Sequence, residues 1–333
     1  MAPGPDFSSF ALGVEVVPPA GGDPGPLLAR LEAIASPEVA GFSVATNPLA
    51  RPGMSALALS ALIQERTGKP ATMHCTTRDH NRLSLQSLLW GARALGIDSV
   101  LVATGDYVAL GDRARTTTVR DVNVFELVAL ARKAGLHVGV VLDPRPGPAP
   151  LEIPALEPGG ARAPDLDSLQ APSRGGRDAP GSETAPGTRA ASVEEGPGGS
   201  HLAYQVRRLG KKIEAGAQYV VTQPVYDEPG ARELREATVH LPVPVVLGIL
   251  PLRSARHGRF LHERVAGISV PAGVVQRLEA TSAAGGDPAA EGIALAAEML
   301  ALARRWFAGA LLMPPFGHYE VVGRILEKAY VPL

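Results

Sequence analysis

The stretch His74-Cys75-Thr76-Thr77-Arg78-Asp79-His80-Asn81 is followed by a segment of helical periodicity and then by Ser99-Val100-Leu101-Val102-Ala103-Thr104-Gly105-Asp106. Two apolar runs each end in polar, reactive side chains, and an amphipathic helix joins them. Parallel strands covered on both faces read as continuous apolar runs, and a barrel of such strands presents the groups at their carboxyl ends on one rim. This pairing therefore predicts a βα unit repeated around a closed parallel sheet.

The repeat extends along the chain. A β-prone run at Phe10 to Val17 precedes Pro18-Pro19 and a helical pattern over Leu27 to Ala35. Gly41 to Ala45 reads as a strand and Ser55 to Thr67 as its helix, with Ser55 as the expected N-cap and Gly68 just past the end. Pro70 to Cys75, Arg82 to Leu95, Asp98 to Thr104 and Val122 to Ala134 supply two further units, with Gly96 and Gly135 after their helices. His137 to Leu142 is the fifth strand, Tyr204 to Ala215 a helix, Tyr219 to Gln223 the sixth strand, Pro229 to Thr238 a helix and Pro244 to Ile249 the seventh strand. Helices dominate Ser254 to Trp306, Gly309 to Met313 is the last strand, and a helix covers Tyr319 to Ala329. Eight strands alternating with helices over about 250 ordered residues predict a (β/α)8 TIM barrel, one domain spanning residues 1–333.

Arg145 to Ser200 breaks the pattern, being rich in Pro, Gly, Ser and Ala with no periodicity. Such a composition buries too little apolar surface to offset its conformational entropy, so a disordered insert after strand five is expected. Its ends would lie at the rim, which leaves a lid or docking role open.

With 45% hydrophobic and 20% charged residues and a formal net charge of -1, the chain has ample core and no electrostatic bias toward nucleic acid or anionic membranes. No segment reaches the ~18 uninterrupted apolar residues of a membrane-spanning helix. The single cysteine, Cys75, cannot form an internal disulfide, and the first residues lack the basic-then-apolar pattern of a secretory signal. A cytoplasmic protein is the expectation.

Five segments occur in one order: Val14 to Pro19, His74 to Asp79, Ala103 to Asp106, Lys212 to Ala217 and Thr222 to Asp227. Together they resemble methylenetetrahydrofolate reductase. Asn47 to Arg51, Arg78 to Ser87 and Gly248 to Leu252 are most similar to the reductase half of bacterial proteins that fuse it to a homocysteine methyltransferase. The similarity covers nearly the whole chain apart from the insert.

The resemblance implies reduction of 5,10-methylenetetrahydrofolate to 5-methyltetrahydrofolate by FAD, itself reduced by NADH or NADPH. Opening the substrate's five-membered ring requires protonation of a weakly basic aniline-type nitrogen, hence a positioned acid with a raised pKa. Glu15, among Val14, Val16 and Val17, fits that role, with a stabilising ion pair as the competing reading. Asp106 is expected as a second catalytic group that accepts hydrogen bonds from the pterin and influences the flavin, although Gly-Asp is also an ordinary turn dipeptide. Gln223 is implied as a pterin contact and Leu261, preceded by Phe260, as a substrate-packing residue. His74, Thr76, Thr104, Gly105, Asp106 and Lys212 are implied in cofactor binding. No convincing second ligand accompanies His74, so no metal site is expected.

Several positions depart from the family pattern: Thr104 stands where many members have Arg, Asp143 where an aromatic is common, Gln205 and Arg208 where Asp and Asn are usual, and His257 in place of Gln. Three functional classes follow: a flavin-dependent reductase, a folate-binding or methyl-transfer subunit without its own redox step, and a subunit that takes electrons from a partner. A homo-oligomer is compatible with each.

Overall fold

The computed structural model describes residues 5–108, 111, 116–145, 200–265 and 267–329. Eight strands form a closed, parallel barrel in sequence order: β1 (Ala11–Val16), β2 (Gly41–Val44), β3 (Ala71–Thr76), β4 (Ser99–Ala103), β5 (His137–Leu142), β6 (Tyr219–Pro224), β7 (Val245–Ile249) and β8 (Gly309–Leu312). Pairing of β1 with β8 closes the ring. The TIM barrel expected from the alternation is thus the fold. Residues 146–199, where the insert was expected, lie outside the described residues.

The strands read as continuous apolar runs because each faces two apolar layers. One parity, including Leu12, Val14, Phe42, Met73, Val100, Val102, Val138, Val140, Val220, Leu247 and Leu312, packs outward against the helices. The other, Leu101, Tyr219, Val221, Val246 and Leu311 with Val141 and Phe7, fills the lumen. Gly139 is required there, since a Cβ would stand 2.2 Å from the Tyr219 ring. Tyr219 shares a 3.1 Å hydrogen bond with Ser99 and stacks on His137 at 5.3 Å, so the floor of the barrel is plugged.

The helices are α1 (Gly25–Ile34), α2 (Ala56–Thr67), α3 (Arg82–Ala94), α4 (Val124–Lys133), α5 (His201–Glu214), α6 (Glu228–Thr238), α7 (Ala255–Arg264), α8 (Ala272–Ala283), α9 (Pro288–Trp306) and α10 (Val321–Ala329). Ser55 holds the N-cap position of α2, but its side chain makes no capping bond. Side-chain caps appear instead at Asn81, Asn123, Ser200, Asp227, Ser254 and Asp287, where short polar oxygens satisfy first-turn N–H groups. The Ser200 cap starts α5 at His201, earlier than the periodicity from Tyr204 implied. Among the described residues no helix is long and apolar enough to cross a membrane.

Candidate active site

The lumen-facing parity carries polar residues toward the carboxyl ends of the strands. Gly13, Glu15 and Val17 alternate with the outward Leu12, Val14 and Val16, and Thr72, His74 and Thr76 alternate with Met73 and Cys75. Glu15 lies level with Ser43 on β2, and Ser43 Oγ is 2.7 Å from His74 Nε2. Asp143 follows β5 on the parity of Val141, and Gln223 follows Val221 on β6. Glu15, His74, Thr76 and Gln223 are thereby brought to one mouth.

Burial, with a smaller contribution from the Asp106 carboxylate, pushes Glu15 up to about 7. At neutral pH this group keeps a substantial protonated fraction. Burial holds His74 down to about 4, so its imidazole is neutral and serves as a hydrogen-bonding group toward Ser43.

Asp106 belongs to a clamp between three rim loops. Asn47, Leu49 and Ala50 all adopt positive φ in the loop after β2, and the N–H of Leu49 donates to Asp106 Oδ2 at 2.6 Å. Arg78, 2% exposed, donates to the carbonyls of Asp106 at 3.0 Å and Asn47 at 3.3 Å and pairs with Asp79 at 2.7 Å. Asn47 returns to Asp79 and accepts from the N–H of Gly53. Gly105, with φ +81°, lets the loop after β4 close on this clamp, since a Cβ would meet Arg78 at 3.0 Å and Thr76 at 3.2 Å. Thr104 is exposed and its carbonyl accepts from Thr77.

Thr76 is 5% exposed, and its Oγ1 has no hydrogen-bond partner among the described residues. Lys212 turns inward: Nζ donates to the Val141 carbonyl at 2.6 Å, and burial pushes the ammonium down to about 8 against the attraction of Asp143. Lys211, by contrast, is exposed. Leu261 is not brought to this group. It is 6% exposed within a second apolar cluster with Tyr226, Leu252, Ile268 and Val274.

Three features escaped sequence reasoning. Arg78 stands in a flagged motif, yet a charged rim-loop residue is ordinarily solvated and gives no periodic signal of burial. Ser43 is the polar position in a short apolar strand, a readable but unspecific sign. Beyond β7 and β8, Arg253 Nη1 lies 3.0 Å from His318 Nε2 and its guanidinium lies over Phe316, whose φ of 54° is unusual for a bulky side chain. No group of three or more His, Cys, Asp or Glu side chains suited to a metal ion occurs among the described residues.

Comparison with solved structures finds the same fold in a protein from Clostridium thermocellum described as binding two copies of 5-methyl-5,6,7,8-tetrahydrofolic acid. The TM-score is 0.58 at 12% identity, over 96% of this chain and 94% of that one. A 2,3-dimethylmalate lyase aligns at TM-score 0.43 and 10% identity, over 97% of this chain and 81% of that one. No curated protein matches the chain significantly. The profile described as methylenetetrahydrofolate reductase matches residues 5–157 and 191–309, most of the sequence. This chain belongs to the methylenetetrahydrofolate reductase family.

Proposed function

We propose that the chain reduces 5,10-methylenetetrahydrofolate to 5-methyltetrahydrofolate, with electrons taken from NADH or NADPH through FAD. The observation that carries this reading is Glu15, a buried carboxyl on β1 pushed up to about 7, chiefly by burial. The reaction demands a proton at a weakly basic ring nitrogen, and an ordinary carboxylate, protonated only below about pH 4.5, would rarely hold one.

The rim fits a flavin in one testable respect. Thr76 Oγ1 is a buried polar atom without a hydrogen-bond partner among the described residues, beside the bare backbone of Gly105. A group in that position ordinarily has a hydrogen-bond partner, and the polar edge of a flavin is of the right chemistry. His74, Thr76, Thr104, Gly105 and Asp106 are the residues that would hold it, with Lys212 behind them. FAD, when bound, supplies a two-electron hydride carrier between nicotinamide and folate. The chain's own part is to hold neutral His74 against Ser43, to fix the Asp106 carboxylate through Leu49, and to present the Glu15 proton. Asp106 and Gln223 supply hydrogen-bonding groups for the pterin edge.

A second reading, a barrel that binds reduced folate without a redox step of its own, draws support from Lys212. Its ammonium donates to the Val141 carbonyl, with burial and the Asp143 charge acting on it, rather than being turned to solvent, where a flavin phosphate would meet it. The same-fold neighbour described as binding 5-methyltetrahydrofolate is compatible with either reading.

An absorbance spectrum of the purified protein, followed by anaerobic NADH and then methylenetetrahydrofolate, separates the two. A flavin band that bleaches with the first and returns with the second supports the reductase. A protein that neither carries nor takes up flavin, yet binds methyltetrahydrofolate, replaces it with the second reading.

A further inference from the structure

Helix α3 packs on the barrel through Leu85, Leu89 and Ala92, and the positions on its opposite side, Leu83, Ser87, Trp90 and Ala94, are exposed. Leu83 is 79% and Trp90 61% exposed. Scattered apolar side chains are normal on a surface and need no explanation. A spacing of four, three and four residues, however, sets these positions in one row along the helix, the arrangement by which helices seat against each other. None of the four is charged. On α6, by comparison, the exposed row Arg232, Glu233, Arg235 and Glu236 is charged throughout, as a helix face turned to water ordinarily is.

The charges that flank the row on α3 are already paired, Arg82 with Glu126 of α4 at 2.9 Å and Arg93 with Asp98 ahead of β4. On the other flank lies α2. Its Leu57 reaches within 3.5 Å of where a Gly91 Cβ would stand, and its outer positions Ala58 and Ala61 are small, so another helix can approach closely.

The row is complementary to itself. When a second α3 lies antiparallel about a two-fold axis between Leu88 and Leu89, Leu83 faces Ala94 and Trp90 faces Ser87 of the other copy, large against small at all four places. The same symmetry sets Arg82 opposite Leu95 and Arg93 opposite Ser84, so no charge meets its own copy.

We propose that α3, flanked by α2, is the contact face of a two-fold symmetric homodimer of this chain, with the two α3 helices antiparallel and the two barrel mouths opening in opposite directions. Helices of this length lying side by side present a face about 20 Å square, on the order of 500 Å² on each protomer. That is the low end for specific association, so the dimer is weak, with a Kd in the micromolar range. No residue of the mouth takes part, and the inference is independent of the reaction proposed above.

Sedimentation velocity on the full chain tests it. The sedimentation coefficient should rise from that of a monomer to that of a dimer across the micromolar range. Trp90→Lys should weaken the dimer by at least about thirtyfold, the effect of one lost hot-spot side chain. Its melting temperature in dilute solution should match the parent's, because the ring is exposed in the monomer. Leu83→Lys, at the most exposed position of the row, repeats the test if Trp90→Lys folds poorly. Ser87→Glu leaves an unpaired charge in the seam and also weakens the dimer. Combined with Trp90→Lys it sets a carboxylate opposite an ammonium at both symmetry-related places. The double variant should then dimerise about fivefold more tightly than Trp90→Lys alone at low salt, and high salt should abolish the gain. A chain that stays monomeric throughout, leaving the row to a different protein, overturns the proposal. A dimer that neither Trp90→Lys nor Leu83→Lys weakens overturns it as well, and a double variant no tighter than Trp90→Lys alone overturns the antiparallel register.

Discussion

Replacing Glu15 with Gln tests the link between burial and catalysis, because one substitution should impair the reaction and improve the fold. The Glu15 carboxyl is raised from 4.5 to about 7, burial being the larger cause and the Asp106 charge the smaller. Each pKa unit is worth about 1.4 kcal/mol, so a folded-state value near 7 against an unfolded one near 4.5 amounts to about 3 kcal/mol. The folded state binds the proton more tightly. Stability from this group is therefore full below about pH 4.5 and is lost as the pH rises through about 7. Glutamine carries no charge and removes that dependence. Urea unfolding of parent and variant at pH 4.5 and pH 8 should give a difference in ΔΔG of about 3 kcal/mol in favour of the variant at the higher pH. The packing difference between carboxyl and amide enters at both values and cancels. In rapid-mixing experiments the folate half-reaction should fall by about 10² to 10⁴, while flavin reduction by the nicotinamide stays within about twofold. A ΔΔG that is the same at both pH values would refute the burial argument, and equal losses in the two half-reactions would refute the role as proton donor.

Folate reduction in the parent should fade above about pH 7 as Glu15 ionises. In Asp106→Asn, where a like charge is removed, that alkaline limb should move to lower pH yet stay above the ordinary carboxyl range, which a pH–rate profile reads directly. Arg78→Met should destabilise the chain by about 3–5 kcal/mol, since it removes the ion pair with Asp79 and the donor to the carbonyls of Asn47 and Asp106. Denaturant unfolding would show it, and a loss under about 1 kcal/mol would mean that the loops hold without the clamp. Gly139→Ala should cost about 1–3 kcal/mol by overpacking against Tyr219 on the barrel floor, with Kd values at the rim unchanged.

The barrel was legible because its signal is local. An apolar run of five or six residues bounded by polar groups has one good environment, a strand covered on both faces, and the helical stretches between such runs leave parallel pairing as the natural connection. The period of two then decides which side chains share the lumen, so Glu15, His74 and Gln223 could be assigned to one mouth from their place at strand ends. The chain as written also fixed the polarity of the rim, since those ends carry Glu, His, Thr, Asp and Gln.

Closure of the barrel decided the partners. Asp143 and Gln223 are eighty residues apart by number and meet only because β5 and β6 are neighbours in register. Lys212 reads as a surface lysine until α5 lays it against the Val141 carbonyl. Leu261 stands alone in the sequence beside Phe260, and its packing with Tyr226, Leu252, Ile268 and Val274 appears only in the fold. Arg78 reads as a solvated loop charge until the left-handed turn at Asn47 to Ala50 and the Gly105 bend surround it with acceptors. Periodicity specifies an element and a face, whereas the groups a side chain meets, and with them its pKa, depend on segments that arrive from elsewhere in the chain.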